Sequence, residues 1–279
     1  MFAGEGEGLV SLFAAFAGLF DFGEADVYAL FAVFTRVGAA VALAPGFGER
    51  ALPARVKLVA AFAFTIVVWP AIAPIAAIAL ETGAAVNAGA GLWRLILAEA
   101  TAGLALGASV RMFVFALQLA GSIAGQSTAV AQILGGGVTP DPMPAIGAIL
   151  TLAGIALALA AGLHVKLAVA LTASYDVLPY GVFPVAGDFA AWGLDRAVAA
   201  FALAFGIAAP FVVAALLYNL ALGAINRAMP QLMVAFVGAP AITGGALILL
   251  FACGPIALAH WSDQLDRSLA APFAPAGGR

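Results

Sequence analysis

Residues 91–134 read GLWRLILAEATAGLALGASVRMFVFALQLAGSIAGQSTAVAQIL, and this apolar stretch decides the fold class. Its only charged residues are Arg94, Glu99 and Arg111. A helix crosses the hydrocarbon core of a bilayer with about 20 predominantly apolar residues, so the stretch fits one long helix or two that fold back. A membrane β-strand would instead alternate apolar and polar residues over about 10 positions. The stretch therefore predicts helices.

Runs of similar composition recur along the rest of the chain, and they predict an all-α membrane or membrane-associated protein. Such runs need about six apolar helical segments, or seven if residues 91–134 fold back. Prolines within them predict kinked helices, and the many glycines allow their backbones to approach closely. We expect a single domain over residues 1–279, with a short acidic flank at 1–26 and a C-terminal tail at 263–279. The other runs are 27–44, 58–80, 145–163 (continuing toward 178), 197–222 and 228–261.

The overall composition excludes a water-soluble globular protein. Hydrophobic residues make up 65% of the chain and charged residues 9%, against about 45–50% and 25% in soluble domains. The formal net charge of −3 argues against a nucleic-acid partner, because such a partner requires clustered Lys and Arg. Membrane lipid is the expected surrounding. The excess of Lys and Arg in the loop after the first segment predicts that this loop is cytoplasmic.

Signatures of catalysis are missing from the sequence, and we predict that the protein is not an enzyme. His164 and His260 are far apart and Cys253 is the single cysteine, so no Cys/His pair has metal-ligand spacing. Phosphate-cradling loops and nucleophile motifs are absent as well. The prediction includes no cofactor and no metal.

Charges within the apolar runs are the first candidates for function, because they are costly in a membrane and usually face a partner or water. Arg36, Glu99 and Arg111 are these residues. Glu99 and Arg111 lie about 120° out of phase on one helix, so they cannot pair directly. Each needs a partner on another helix, on another subunit or in water, unless it snorkels to the interface with its stem buried.

A polar stripe on the same long segment precedes a stretch that cannot be helical. Gln118, Ser122 and Gln126 recur one helical turn apart, with Gln132 nearby, and they predict a polar lining or a packing surface. The following LGGGVTPDPMP, residues 134–144, combines three glycines with three prolines, which favours a turn or an extended path. It is either an ordinary external loop or a flexible element that enters a pore.

Glycine pairs also mark this long segment. Gly103 and Gly107 form one small-xxx-small pair, and Gly121 and Gly125 form another. Five helical turns separate the two pairs, so on a continuous helix they share a face. Glycines in this spacing let helices approach closely, although such pairs also arise by chance at this glycine content.

Three ordered stretches resemble the family of flagellar biosynthetic protein FliR and its injectisome counterpart SctT. The first is PGFGERALPARVKL at 45–58. The second is GQSTAVAQILGGGVTPDP at 125–142, followed by GLHVKLAVALTASYDVLPYG at 162–181. The third is NRAMPQLMVAFVGAP at 226–240. Together they extend over nearly the whole chain.

The resemblance implies a core subunit of the type III protein export gate in the bacterial inner membrane, at the flagellar basal body. Members of the family assemble with FliP- and FliQ-like subunits, joined by FlhB- and FlhA-like components, into a channel for unfolded export substrates. It also implies tilted helical hairpins, many of them held above the bilayer plane. Alternatives are the injectisome counterpart in virulence protein secretion and, from another class, a secondary transporter for a small solute.

Three sets of residues match positions that the family uses. The stretch after Pro142 is shorter here than is usual in the family, which leaves the reach of a plug open. For the two motif sets, topology control and helix capping are the alternative roles. The channel plug would comprise Gly135, Gly136, Gly137, Val138, Thr139, Pro140, Asp141, Pro142 and Met143; the basic loop Arg50, Pro53, Arg55 and Lys57; and the last hairpin Arg227, Pro230 and Gln231.

Overall fold

Long apolar runs fold as long α-helices in the computed structural model, which describes residues 24–49, 51–81, 91–133, 145–228 and 234–274. Every regular element within these ranges is an α-helix, so the prediction of an all-α fold is confirmed. The helices are α1 (Glu24–Leu43), α2 (Ala54–Glu81), α3 (Gly91–Ile133), α4 (Ala145–Ala160), α5 (Leu163–Val177), α6 (Ala186–Ala228) and α7 (Val234–Ala270).

Five helices of the described ranges are long and apolar enough to cross a membrane, and the number rises to six if α4 and α5 form one span. This agrees with the six predicted segments. The alternative of seven segments is wrong, because α3 runs unbroken from Gly91 to Ile133. Its sequence contains no proline, and only proline or a turn would force a long apolar run to reverse.

The run that begins at residue 145 differs from its prediction, since two helices take the place of one continuous segment. The break falls at Ala161 and Gly162. Gly162 has a φ of 80°, a left-handed conformation that ends a helix and that glycine adopts at little cost. The helices α2 and α6, by contrast, continue through Pro70, Pro74 and Pro210.

The described chain forms two compact units, and the first comprises the residues up to Arg111 together with His164–Gly193 and Leu269–Ala274. Within this unit α2 packs against α1, where the rings of Phe34 and Phe62 stack with centroids 4.6 Å apart. The first half of α3 packs against α1 through two glycines. A Cβ at Gly107 would lie 2.6 Å from the carbonyl oxygen of Ala40, and one at Gly103 would clash with the carbonyl oxygen of Arg36.

The second unit comprises Met112–Leu163 and Leu194–Ser268 in the described chain. The second half of α3 packs against α4 at Gly121, where an added Cβ would clash with the backbone of Gly147. Trp261 of α7 is fully buried, and its Nε1 donates a hydrogen bond of 2.8 Å to the carbonyl oxygen of Phe113. Helix α7 extends to Ala270, through the first part of the region predicted as a tail, and buries Leu265 there.

Candidate functional site

A fully buried ion pair joins α1 to α3 in the first unit. Arg36 donates from Nε to Glu99 Oε2 at 2.8 Å and from Nη2 to Glu99 Oε1 at 3.0 Å. Both side chains have 0% exposure. A bidentate guanidinium–carboxylate pair is the strongest pairing that these two side chains form. The structure thus supplies Arg36 and Glu99 with partners on another helix of the same chain.

The end of α5 and the turn after it complete this buried charge network. Arg36 Nη1 donates to Ser174 Oγ at 3.1 Å, and Nη2 donates to the carbonyl oxygen of Leu178 at 2.9 Å. Glu99 accepts from the Tyr175 hydroxyl at 3.1 Å and from the backbone N–H of Gly181 at 2.9 Å. The Arg36 guanidinium also lies 3.7 Å from the centre of the Tyr175 ring.

The network leaves Glu99 no free lone pair for acid–base chemistry. Its Oε1 accepts from Arg36 and Gly181, and its Oε2 accepts from Arg36 and Tyr175. A buried pair needs such additional hydrogen bonds, since the desolvation of two charges otherwise exceeds their attraction. In the described ranges no group of three His, Cys, Asp or Glu residues is placed to hold a metal ion.

Tyr180 lies next to the network without joining it. Its ring stacks on that of Tyr175 with centroids 6.5 Å apart, and it is 1% exposed. Its hydroxyl has no hydrogen-bond partner within the described part of the chain. Sequence reasoning missed Ser174, Tyr175 and this turn as partners of the buried charges. The available signal was SYDVLPYG, in which polar residues and a Pro-x-Gly turn interrupt an apolar run.

Arg111 belongs to a second, partly exposed ion pair in the first unit. Its Nη1 lies 2.6 Å from Glu49 Oε1, with side-chain exposures of 21% and 31%. Glu49 lies in the predicted basic loop between α1 and α2, where Lys57 Nζ donates to the carbonyl oxygen of Gly48 at 3.2 Å. The carbonyl oxygen of Pro53 accepts from Val56 N–H at 3.0 Å in the first turn of α2.

The remaining predicted residues are distributed over both units and over ranges that the structure does not describe. Arg55 is exposed at the start of α2, and Arg227 is exposed at the end of α6. In the second unit Gln118 and Ser122 are half-buried and Gln126 is exposed. Arg50, Pro230, Gln231, the side chain of Gln132 and the plug residues 135–143 lie outside the described residues.

Comparison with known proteins decides the family. The sequence profile of bacterial export proteins, family 1, matches residues 27–268. The chain belongs to this family. The matched range includes all three stretches on which the FliR resemblance rests, and the predicted membership is confirmed.

Curated relatives of this bacterial export chain are flagellar biosynthetic proteins named FliR. The protein from Caulobacter vibrioides is 29% identical over 241 residues, which cover 86% of this chain and 93% of the relative. The protein from Pectobacterium carotovorum is 30% identical over 226 residues, 77% of this chain and 80% of the relative. The protein from Escherichia coli is 29% identical over 227 residues, which cover 79% of this chain and 82% of the relative. The chain is therefore a membrane-embedded component of the flagellar type III export family.

Proposed function

We propose that this chain is a core subunit of the type III protein export gate. In this proposal it assembles with FliP- and FliQ-like subunits, and with FlhB- and FlhA-like components, into a channel for unfolded flagellar substrates. The site of assembly is the bacterial inner membrane at the flagellar basal body. Family membership supports the export role, and the FliR names of its relatives support the flagellar system over the injectisome counterpart.

The length of α6 is the observation that supports assembly with other subunits. From Ala197 to Asn226 this helix has no charged residue, and Asn219 and Asn226 lie near its end; the stretch corresponds to about 45 Å of uncharged helix. The hydrocarbon core is about 30 Å thick, so even a tilt of about 40° uses only about 39 Å of the helix. Part of this uncharged helix therefore extends beyond the hydrocarbon core, and in this proposal a neighbouring subunit covers it there.

The exposed side chains of the second unit agree with this reading. Leu220 is 71% exposed on α6, and Phe251 is 87% exposed on α7. Apolar patches of this extent mark surfaces that lipid or a protein partner covers. The other large apolar side chains that are more than half exposed on these two helices are Leu194, Val198, Phe201, Phe205, Val213, Leu216, Leu217, Leu247, Ile248 and Ile256.

Co-purification tests the proposal. The tagged chain is expressed in bacterial membranes with and without FliP- and FliQ-like subunits, and the detergent extracts are analysed for mass and composition. We expect a stable heteromeric complex with the partners, and without them a chain that binds no small solute. A stable monomer or dimer that binds a small solute would support the secondary transporter instead, and it would exclude the gate.

The proposal extends to residues 135–143, which would form a plug of the channel. The polar lining of the channel would then comprise Gln118, Ser122, Gln126 and Gln132. A sequence rich in glycine and proline disfavours a regular helix, and this composition supports a segment that moves aside at small cost. Deleting residues 135–137 should make membranes that contain the assembled complex permeable to small ions. Unchanged permeability together with normal export would contradict the plug.

A further inference from the structure

We infer that the Arg36–Glu99 pair caps the end of α5 and the turn after it, which lie buried between the apolar helices of the first unit. This role is a positioning role, distinct from carrying protons or from opening a channel. It goes beyond the proposed function and does not depend on it.

The depth of the pair follows from its place on two helices. Arg36 lies about 18 Å along the helix axis from Glu24 and about 10 Å from Leu43, the two ends of α1. Glu99 lies about 18 Å from Arg111, where the partly exposed ion pair with Glu49 begins. The last turn of α5, which ends at Val177, contacts Arg36 and Glu99 through Ser174 and Tyr175. The end of α5 therefore lies against fully buried side chains of α1 and α3.

A helix end at this depth leaves backbone groups without helical partners. The last carbonyls of a helix have no intrahelical donors, and non-helical backbone at membrane depth is tolerated only where protein or water satisfies it. Pro179 lacks an N–H, and Gly181 has a φ of 73°, so the helix cannot continue through this turn. The carbonyl oxygen of Leu178 and the N–H of Gly181 are thus left to other partners.

The charge pair satisfies both of these backbone groups. Arg36 donates to the carbonyl oxygen of Leu178, and Glu99 accepts from the N–H of Gly181. The two backbone groups need one donor and one acceptor, and Arg36 and Glu99 supply these while neutralising each other away from water. This accounts for two charged side chains at fully buried positions.

Two double variants separate capping from mutual neutralisation. Arg36→Met with Glu99→Leu removes both charges and both hydrogen-bonding groups. Arg36→Gln with Glu99→Gln removes the charges but retains a donor for Leu178 and an acceptor for Gly181. If the two side chains served only to neutralise each other's charge, the apolar variant would match the wild type in labelling of the turn and in export. If it carried protons, the Gln variant would lose function.

The rate of cysteine labelling measures how accessible the turn is, in the full chain assembled in its membrane. In a Cys253→Ser background, Leu178→Cys reports on the turn and Ile72→Cys, at a fully buried position of α2, reports on the rest of the unit. We expect the apolar variant to raise the rate of thiol labelling at position 178 by about tenfold or more, because two buried backbone groups lose their partners. The Gln variant should stay within about threefold of wild type at both positions.

A second arm measures export of flagellar substrates in a strain that lacks its own copy of the chain. We expect the Gln variant to restore export and the apolar variant to fail. Protection of position 178 in the apolar variant would overturn the inference, as would labelling of the Gln variant at the apolar variant's rate. A protected Gln variant without export would also overturn it. If the proposed function alone were wrong, the wild type itself would not restore export, while the labelling result would stand.

Discussion

Two tyrosines beside the buried charge network differ in what their hydroxyls do. Tyr175 donates to Glu99 at 3.1 Å, whereas the Tyr180 hydroxyl has no partner among the described residues. Tyr175→Phe should lower the free energy of unfolding by about 1–3 kcal/mol, because a charged acceptor loses a donor. Tyr180→Phe should leave it unchanged or raise it slightly, since it removes a buried polar group that is unsatisfied.

Thermal unfolding of the detergent-solubilised variants measures both effects side by side. The two substitutions remove the same atom from stacked rings, so each serves as the control for the other. Equal losses of stability would mean that the hydrogen bond from Tyr175 to Glu99 contributes no more than the hydroxyl of Tyr180.

At the residue scale, the sequence indicated which charges are costly but did not reveal their partners. Arg36 and Glu99 are separated by 63 positions, and no periodicity relates them. Their other partners are the hydroxyls of Ser174 and Tyr175 and backbone groups of Leu178 and Gly181. Nearly every residue of a sequence carries the same backbone groups. Such pairings are set by tertiary packing, which local patterns do not encode.

At the element scale, two helical glycines provide a matched pair in the second unit. Gly121→Ala places a methyl group against the backbone of Gly147, which cannot yield as a flexible side chain would. We expect a loss of about 1–3 kcal/mol or more in unfolding free energy. Gly206 on α6 has nothing within 4 Å of the position of a Cβ, so Gly206→Ala should stabilise the isolated chain by about 0.5–1 kcal/mol.

The midpoint of thermal unfolding in detergent, compared with that of the wild type, checks both glycine substitutions. Opposite signs are expected for two chemically identical changes. A stabilising Gly121→Ala would show that α3 and α4 are not in close contact at this point.

The helical type and the approximate number of membrane-spanning segments were predictable from the sequence, but some helix ends were not. Apolar composition alone determines that residues 91–133 are helical, whereas the continuity of α3 depends on the packing that Gly103, Gly107 and Gly121 allow. The break at Gly162 was missed because an isolated glycine in an apolar run is compatible with a helix. Its left-handed φ is a property of the folded chain.

At the scale of the whole molecule, the proposed assembly predicts that exposed and buried residues of α6 respond differently. Phe205 is 59% exposed and Phe211 is 3% exposed. Phe205→Ala should change the stability of the isolated chain by no more than about 0.5 kcal/mol. It should nevertheless weaken binding of the FliP- and FliQ-like subunits by about fivefold or more, as expected when an aromatic anchor of an interface is truncated.

Phe211→Ala is the matched control on the same helix, and it should destabilise the isolated chain by about 3–5 kcal/mol. Quantitative co-purification and thermal unfolding of both variants measure the two effects. Normal co-purification of Phe205→Ala would assign this face to lipid.

Hydropathy could not distinguish lipid from a neighbouring apolar subunit at this scale, because both remove the same side chains from water. The exposed residues of α6 are the same types as those buried in it: Phe205 and Phe211 differ only in position. The composition therefore predicted a membrane protein correctly. Which of its exposed surfaces contact other subunits remains a prediction, because composition carries no information about the partners.

The uncharged length of α6 also bears on how the chain is held along the membrane normal. Between Ala197 and Asn226 no charge marks which residues lie at the lipid headgroups. Sliding this helix by one turn, about 5.4 Å, exchanges one set of apolar side chains for another. The bilayer therefore provides little restoring force against axial sliding of α6. In the proposed assembly, contacts with neighbouring subunits set the height of this helix in the membrane.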